Sequence, residues 1–413
     1  MSRKATTGAI FLTIFLDLVG FGIVMPFLAL QAREIFLASE WLAALLGASY
    51  SLAQFFFVPV WGRLSDRIGR RPVLLISVFF SFVTMTALGA ALAWSSSIAL
   101  LFAARIFGGI ATANLGTASA YIADITTPAE RVKGMGLIGM AFGLGFIVGP
   151  GIGGILAEYT VNGREGPMAC FVAGLLSLVN FIWVMRGVPE SLPAENRDRD
   201  NSRSLSPLRL DALAELRRRP AISRAVLANF CIILAFSGME ITYAFYARDK
   251  FHLTQAGVGW LFVFMGVTGA LTQGGLIRRI GHKVADTSLI QSGLILQVLA
   301  FAGIWLAPAL GLWMMVTASA VLALGNGLTQ PGISGYISRR SGVQEQGASL
   351  SANQSLASLA RVFGPALGGL LYSSINPGAP FASGVVINLI ALGLALLLVK
   401  QASDPAAASP GPG

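Results

Sequence analysis

The stretch Gly62-Arg63-Leu64-Ser65-Asp66-Arg67-Ile68-Gly69-Arg70-Arg71 sets arginines and one aspartate between two long apolar runs, 41–61 and 73–94. A short charged turn between two such runs is the link of a polytopic membrane protein, because about 17–25 apolar residues cross the hydrocarbon layer as a helix. Working outward from it, runs of that kind recur at 8–30, 98–121, 134–157, 168–186, 222–247, 256–277, 286–306, 309–330, 347–373 and 379–400. Each predicts a helix, since a backbone group left unpaired in hydrocarbon costs several kcal/mol. The expected fold class is therefore all-α, with twelve transmembrane helices. Composition agrees. Hydrophobic residues make up 55% of the chain and charged ones 12%, against roughly 45–50% and about 25% in a soluble domain. A large soluble α/β domain would need amphipathic outer elements, and almost none are visible.

Basic residues give the orientation. All Lys and Arg fall at one set of loops and ends, except Arg33, Arg164, Arg248 and Lys250 on the opposite set and Arg105 and Arg361 inside spans. Because basic residues stay in the cytoplasm, both termini are expected inside, in a multi-pass bacterial-type inner membrane. The same bias accounts for the net charge of +10. A nucleic-acid-binding protein would gather that charge on one soluble face, so no nucleic-acid partner is expected. The loop arginines suit lipid phosphate instead. Cys170 and Cys231 fall within spans and read as small apolar fillers, and His252 and His282 lie too far apart in sequence to suggest a metal site. No cofactor and no enzymatic activity are expected. The first run lacks a cleavage motif and is followed by further spans, so it is read as retained structure.

Residues 187–221 are the one long hydrophilic stretch, with Pro189, Pro193, Pro207 and Pro220. They read as a cytoplasmic linker, with a short surface helix around 207–219, between bundles 1–186 and 222–401. Residues 402–413, rich in Ala, Pro and Gly, read as a disordered tail. Internal similarity supports the division. Gly62, Leu64, Arg67, Ile68, Gly69 and Arg71 correspond at constant offset to Gly274, Leu276, Arg279, Ile280, Gly281 and Lys283. In a second alignment Tyr121, Ile122, Glu130, Gly149, Pro150, Gly153, Gly154 and Leu156 meet Tyr336, Ile337, Glu345, Gly364, Pro365, Gly368, Gly369 and Leu371. Duplicated halves around a central cavity are a common construction among secondary transporters.

These motifs in order resemble the major facilitator superfamily, and within it the drug:proton antiporter branch with twelve helices, especially tetracycline-efflux-type exporters. Gly62 to Arg71 with Pro72-Val73-Leu74-Leu75 is similar to the loop signature between helices two and three. Asp17, Gly20, Gly22, Met25 and Pro26 resemble the first-helix motif. Arg105, Gly108, Gly109, Tyr121, Ile122, Ala123, Asp124, Glu130 and Arg131 resemble the fourth-helix motif and its exit. Gly139, Gly143, Gly149, Pro150, Gly153 and Gly154 resemble the glycine-rich fifth-helix motif of antiporters. The resemblance implies two pseudo-symmetric six-helix bundles and a cytoplasmic latch built from Gly62, Asp66, Arg67, Gly69, Arg70, Arg71, Asp124 and Arg131. Asp66 with Arg131 and Asp124 with Arg67 are the pairs expected first. In the second copy Arg278 stands where Asp66 does, so a weaker or differently paired latch is expected there.

Residue chemistry fits this. Gly62 and Gly69 permit a tight turn and close helix approach, and Asp66 can accept hydrogen bonds at a helix end. Gly139 and Gly143 share a helix face and would let another backbone approach, while Pro150 removes a backbone donor and can kink its helix. Ordinary small-residue packing explains the same glycines, but not the return of Gly-Pro-x-x-Gly-Gly around Pro365. The sharpest clues are Asp17, Arg105, Glu240 and Arg361, each inside a span, where one charge costs about 2.5–3.5 kcal/mol. Asp17 and Glu240 are the candidate proton-coupling carboxylates, with Arg105 acting on one of them electrostatically and Arg361 as a structural charge. The alternative for Asp17 is a purely structural pair with Arg105. Phe236, Tyr243, Phe245 and Tyr246 surround Glu240 with aromatic surface.

Met25, Tyr50, Gln54, Phe57, Asn114, Met140, Met239, Tyr243, Phe264, Met265, Asn326, Gln330, Asn353 and Gln354 lie on helices that line the cavity in the resembled family. They offer aromatic, thioether and amide groups suited to an amphipathic organic substrate. Thr84 stands where tetracycline exporters carry an acid, which points away from chelated tetracycline. The expected activity is export of amphipathic compounds or drugs in exchange for protons by a monomer. A proton- or sodium-coupled transporter of a lipid-like or metabolite substrate is the alternative on the same fold. A receptor or scaffold without transport is the alternative from another class. No Walker lysine motif is present to bind ATP.

Overall fold

The computed structural model describes residues 3–112, 115–126, 131–193, 195, 197, 219–280, 283–341 and 346–402, and the side chains of 3–6, 115, 131–139, 142, 146, 346–348, 351 and 399–402 are outside this description. Asn114, Glu130, Gly281, His282, Glu345, most of the expected linker with its surface helix, and the tail beyond Ala402 therefore lie outside the described residues. The helices are α1 (Arg3–Phe36), α2 (Glu40–Ile68), α3 (Arg70–Trp94), α4 (Ile98–Ala111), α5 (Leu115–Ile125), α6 (Arg131–Ala157), α7 (Pro167–Gly187), α8 (Pro220–Phe251), α9 (Gln255–Leu271), α10 (Asp286–Leu310), α11 (Leu312–Arg340), α12 (Gln346–Ser374) and α13 (Ala379–Ala402). Among the described residues, ten helical spans are long and apolar enough to cross a membrane. They match all the expected spans but two. The fifth expected span is α6, whose apolar part is Gly143–Ala157, and the eleventh is α12, a full-length helix with a polar face.

The boundaries shift where the backbone has local reasons to shift. Span four continues as α5 to Ile125. Span eight leaves α-helical geometry after Leu271, passes through a π-helical turn at Thr272–Ile277 and ends at Ile280. The second copy of the charged-turn motif therefore starts on a widened turn, where the first copy starts on the regular helix α2. A hairpin of β1 (Thr160–Val161) and β2 (Arg164–Glu165) joins α6 to α7. Its Asn162 and Gly163 both have positive φ, 54° and 73°, the geometry of the Asn-Gly turn that joins twisted strands.

The described residues form two compact units, Met1–Pro207 with Ile241–Gly266, and Leu208–Glu240 with Val267–Gly413. In the first, α1 packs on α6 and α7, α3 on α7 and α2 on α4, over a core that includes Ile10, Ile14, Leu74, Tyr121, Ile122 and Val184. In the second, α10 packs on α11 and α13, over Ile222, Val226, Ile290, Leu294, Ile333, Ile337 and Leu398. Both units keep Phe, Leu and Ile exposed on their outer faces, among them Phe107, Leu175, Leu299 and Ile390. Such faces suit lipid rather than water. In the first unit, exposed Trp41 and Trp94 lie at the ends of α2 and α3 remote from the Gly62–Arg71 turn, where a membrane interface would anchor them.

Candidate functional site

At the motif end, Gly69 closes α2 with φ 106°, a conformation that favours glycine. An added Cβ there would also strike the Glu190 carboxylate. Gly62 lies inside α2 and meets nothing within 4 Å, so the expected close approach at that glycine is not made. Arg70, buried, joins the acids: its Nη1 lies 2.5 Å from Asp66 Oδ1 and its Nε donates to Asp124 Oδ2 at 3.2 Å. It also donates to Ser65 Oγ at 2.6 Å. Asp66 and Asp124 thus meet at Arg70, a partner not among those first expected. The Arg131 side chain lies outside the described residues.

The sequence reading missed the other half of this cluster. Glu190 accepts from the backbone N–H groups of Arg70 (2.9 Å), Arg71 (3.2 Å), Ser191 (3.0 Å) and Leu192 (3.0 Å), capping the first turn of α3 with a negative charge. Tyr121 donates to Pro189 O at 2.7 Å, Arg71 to Met185 O at 2.7 Å, and Ser191 Oγ to Asp124 at 3.0 Å. The segment after α7 is therefore strapped across the motif. A lone Glu in a hydrophilic stretch gives no sequence signal of this.

In mid-span of the first unit the alternative reading, a structural pair of Asp17 with Arg105, is not met. Arg105 on α4 is 2% exposed, yet no ion pair joins it to Asp17. Its guanidinium lies 4.1 Å from the Tyr50 ring centroid and donates to Met25 Sδ at 3.3 Å, while its Nε has no hydrogen-bond partner among the described residues. A desolvated cation over an aromatic face is worth about 2 kcal/mol, which holds the guanidinium in place without neutralising it. The Thr112 hydroxyl donates to Gly108 O at 2.9 Å and is left to accept from the Tyr50 phenol. Gln54 donates to Thr112 O at 3.2 Å. Asp17, partly exposed on α1, makes no hydrogen bond or ion pair with a described residue, and Tyr50 lies within the fields of both Asp17 and Arg105.

Glycines set the helix spacing around this centre. A Cβ at Gly149 would stand 2.7 Å from Gly22 Cα, and one at Gly145 would stand 3.2 Å from the Leu18 carbonyl carbon. Gly153 abuts the Ile23 backbone, so the α6 face 145–149–153 lies directly on α1. On another face a Cβ at Gly154 would stand 3.0 Å from Gly259 Cα, so α9 lies equally close. Gly143, by contrast, meets nothing within 4 Å; the close approach expected of 139 and 143 belongs to the next turns of the helix, and the surroundings of Gly139 lie outside the description. The repeat reproduces the crossing in the second unit, where Gly364 and Gly368 of α12 press on the Gly238 backbone of α8, with added Cβ atoms 3.0 Å from Gly238 N and Gly238 C.

Beside that second crossing are Glu240, partly exposed on α8, and Arg361, exposed on α12. They lie within each other's field. Neither forms a hydrogen bond or ion pair with a described residue. Asn229, absent from the sequence candidates, donates to Asn353 Oδ1 at 2.9 Å and accepts from Gln330 at 3.2 Å, so three helices share an amide cluster. Of the remaining candidates, Met239, Tyr243 and Met265 are buried, Phe57 packs with Trp61 and Val73, Asn326 is partly exposed, and Met140, Phe264 and Gln354 are exposed.

At the opposite end of the first unit the structure adds a reciprocal ion-pair clasp. Arg33 of α1 makes two bonds to Asp249 of α8, at 2.8 and 2.6 Å, and Arg248 lies 3.1 Å from Glu34. The dipeptides Arg33-Glu34 and Arg248-Asp249 keep the offset of the second repeat alignment, and so do the helix ends that follow. Leu37 and His252 both take φ 52°, and Ala38 N to Ala32 O and Leu253 N to Ala247 O are both 3.4 Å. Gln255 donates to Glu165 of the hairpin at 2.9 Å, and Glu158 accepts from Ala256 N at 3.0 Å. The repeat offset was the signal that could have located this clasp.

A family model described as Major Facilitator Superfamily matches residues 10–311 and 287–412. The chain is 31% identical over 384 residues to the class B tetracycline resistance protein of Escherichia coli, covering 91% of this chain and 90% of that protein. It is 27% identical over 398 residues to multidrug resistance protein 2 of Bacillus subtilis (strain 168), with 95% of each covered. It superimposes on the crystal structure of the human organic anion transporter MFSD10 with a TM-score of 0.71 and 25% identity, covering 96% of this chain and 100% of that one. With its apolar helices, repeated motifs and glycine crossings, the chain belongs to the major facilitator superfamily and is a multi-pass membrane transporter.

Proposed function

We propose that this transporter exports amphipathic organic compounds across a bacterial-type cytoplasmic membrane in exchange for protons, by alternating access and as a monomer. The observation that carries the reading is a pair of mid-span carboxylates, Asp17 and Glu240, each partly exposed and without a hydrogen-bond or ion-pair partner among the described residues. An unpaired acid inside a span is costly, and in membrane transporters such acids mark proton and ion paths. The likeness to multidrug and tetracycline resistance proteins supports an organic drug-like cargo. The distribution of basic residues supports cytoplasmic termini. In the cycle, a proton and the substrate compete for a carboxylate of this kind. Binding shifts the equilibrium through unequal affinity for the two conformations.

The test is substrate-driven proton release in inverted vesicles carrying the protein, with Glu240→Gln and Asp17→Asn beside the unaltered chain. Release falls to background in at least one variant while that variant still purifies as a folded protein. Full release in both variants refutes proton coupling through these acids.

A further inference from the structure

Most faces of a membrane helix are either apolar toward lipid or packed against another helix. The face of α12 carrying Gln354, Ser358 and Arg361 is neither. These residues recur at intervals of four and three, so they line up along one side. Gln354 and Arg361 are exposed and Ser358 partly exposed. Phe363, two residues past Arg361 and so on the far side of the helix, is exposed too, and with Leu367 and Leu370 it forms the apolar face suited to lipid. The helix thus has two accessible sides of opposite character. The polar one is the reason α12 falls short of the apolarity of the other spans. Farther along the same side, one and two turns beyond Arg361, Gly364 and Gly368 press against α8, and Ser237 of α8 donates to Ala360 O at 3.3 Å. Glu240 follows Ser237 by three residues and so emerges on the same side of α8.

The crossing therefore presents one cation and one anion side by side, both accessible and not bonded to each other. This differs from Arg105, sealed by Tyr50 and Met25, and from Arg33, engaged with Asp249 at both nitrogens. A planar guanidinium with free donors matches a carboxylate by paired hydrogen bonds, and a free carboxylate matches an ammonium. We infer that Glu240 and Arg361 together recognise the ammonium and the carboxylate of a zwitterionic amphiphile, whose apolar body lies along the neighbouring spans. The inference rests on the export reading above and narrows its substrate class: the proton of the exchange competes with the substrate ammonium for Glu240, and Arg361 selects for the carboxylate.

The experiment compares naphthylalanine, its methyl ester and its N-acetyl derivative at one fixed pH. Binding to the purified protein is read by thermal shift, and pH-gradient-driven uptake is read in inverted vesicles. The unaltered protein binds the zwitterion roughly tenfold or more tighter than either singly charged derivative, the scale set by one charged hydrogen-bonded contact. Arg361→Gln abolishes the advantage over the ester and leaves ester binding in place, and Glu240→Gln abolishes the advantage over the N-acetyl compound. Equal binding of all three by the unaltered protein, a measurement that needs no variant to fold, overturns the assignment. So does Arg361→Gln weakening ester and zwitterion alike. Zwitterion-selective binding with uptake indifferent to the gradient would instead count against the proton-coupled reading while upholding the recognition site.

Discussion

Replacing Gly149 with alanine tests the α1–α6 crossing directly. The new Cβ would stand 2.7 Å from Gly22 Cα, 2.8 Å from Gly22 C and 3.0 Å from Val19 O. All three are backbone atoms of α1, so no side chain can swing aside. Restoring ordinary contact at 3.4 Å requires the helices to part by about 0.7 Å (3.4 minus 2.7), which loosens the neighbouring contacts at Gly145 and Gly153 as well. Overpacking of this kind costs about 1–3 kcal/mol. Gly143→Ala is the matched control: it makes the same change on the same helix, but its Cβ meets nothing within 4 Å. It keeps only the gain in helix propensity, about 1 kcal/mol at most. The difference between the two variants thus isolates the crossing and corresponds to roughly 5- to 150-fold in the folded-to-unfolded ratio. Thermal unfolding of the detergent-purified protein, followed by tryptophan fluorescence, should place Gly143→Ala at or above the parent and Gly149→Ala clearly below both. A Gly149→Ala protein as stable as Gly143→Ala would refute the claim that backbones touch there.

Glu190→Ala removes the cap from the first turn of α3, a loss of about 1 kcal/mol, and hydrogen exchange at the Arg70 and Arg71 amides should rise about fivefold; unchanged exchange would show that Glu190 is not their acceptor. A double-mutant cycle of Arg33→Gln and Asp249→Asn should give a coupling of about 0.5–1 kcal/mol, the range of a partly exposed pair, while additive effects on unfolding would dissolve the clasp. Tyr50→Phe keeps the ring under Arg105 and loses only the contact to Thr112, whereas Tyr50→Leu also forfeits the cation–π contact of about 2 kcal/mol. Equal unfolding temperatures for those two variants would remove the ring from the account of Arg105.

Hydropathy, the charged turn and the duplicated Gly-Pro motif were enough to lay out the spans, the repeat and the family from the chain alone. They are legible in one dimension because each helix in lipid satisfies its own backbone and declares itself by length and apolarity, whatever its neighbours. Partnership is different, because it depends on how each helix is rotated about its axis and how far its neighbours stand away. That is why Arg105 lies under Tyr50 rather than paired with Asp17, why Arg70 joins both Asp66 and Asp124, and why Gly149, not Gly143, bears the crossing. Glu190, Asn229 and the pair Arg33–Asp249 gain their roles only when segments distant in sequence meet. The sequence by itself determined which segments are apolar enough to enter the membrane; rotation and contact in three dimensions decided which of the described charges are bonded, which are sealed, and which have no bonded partner among the described residues.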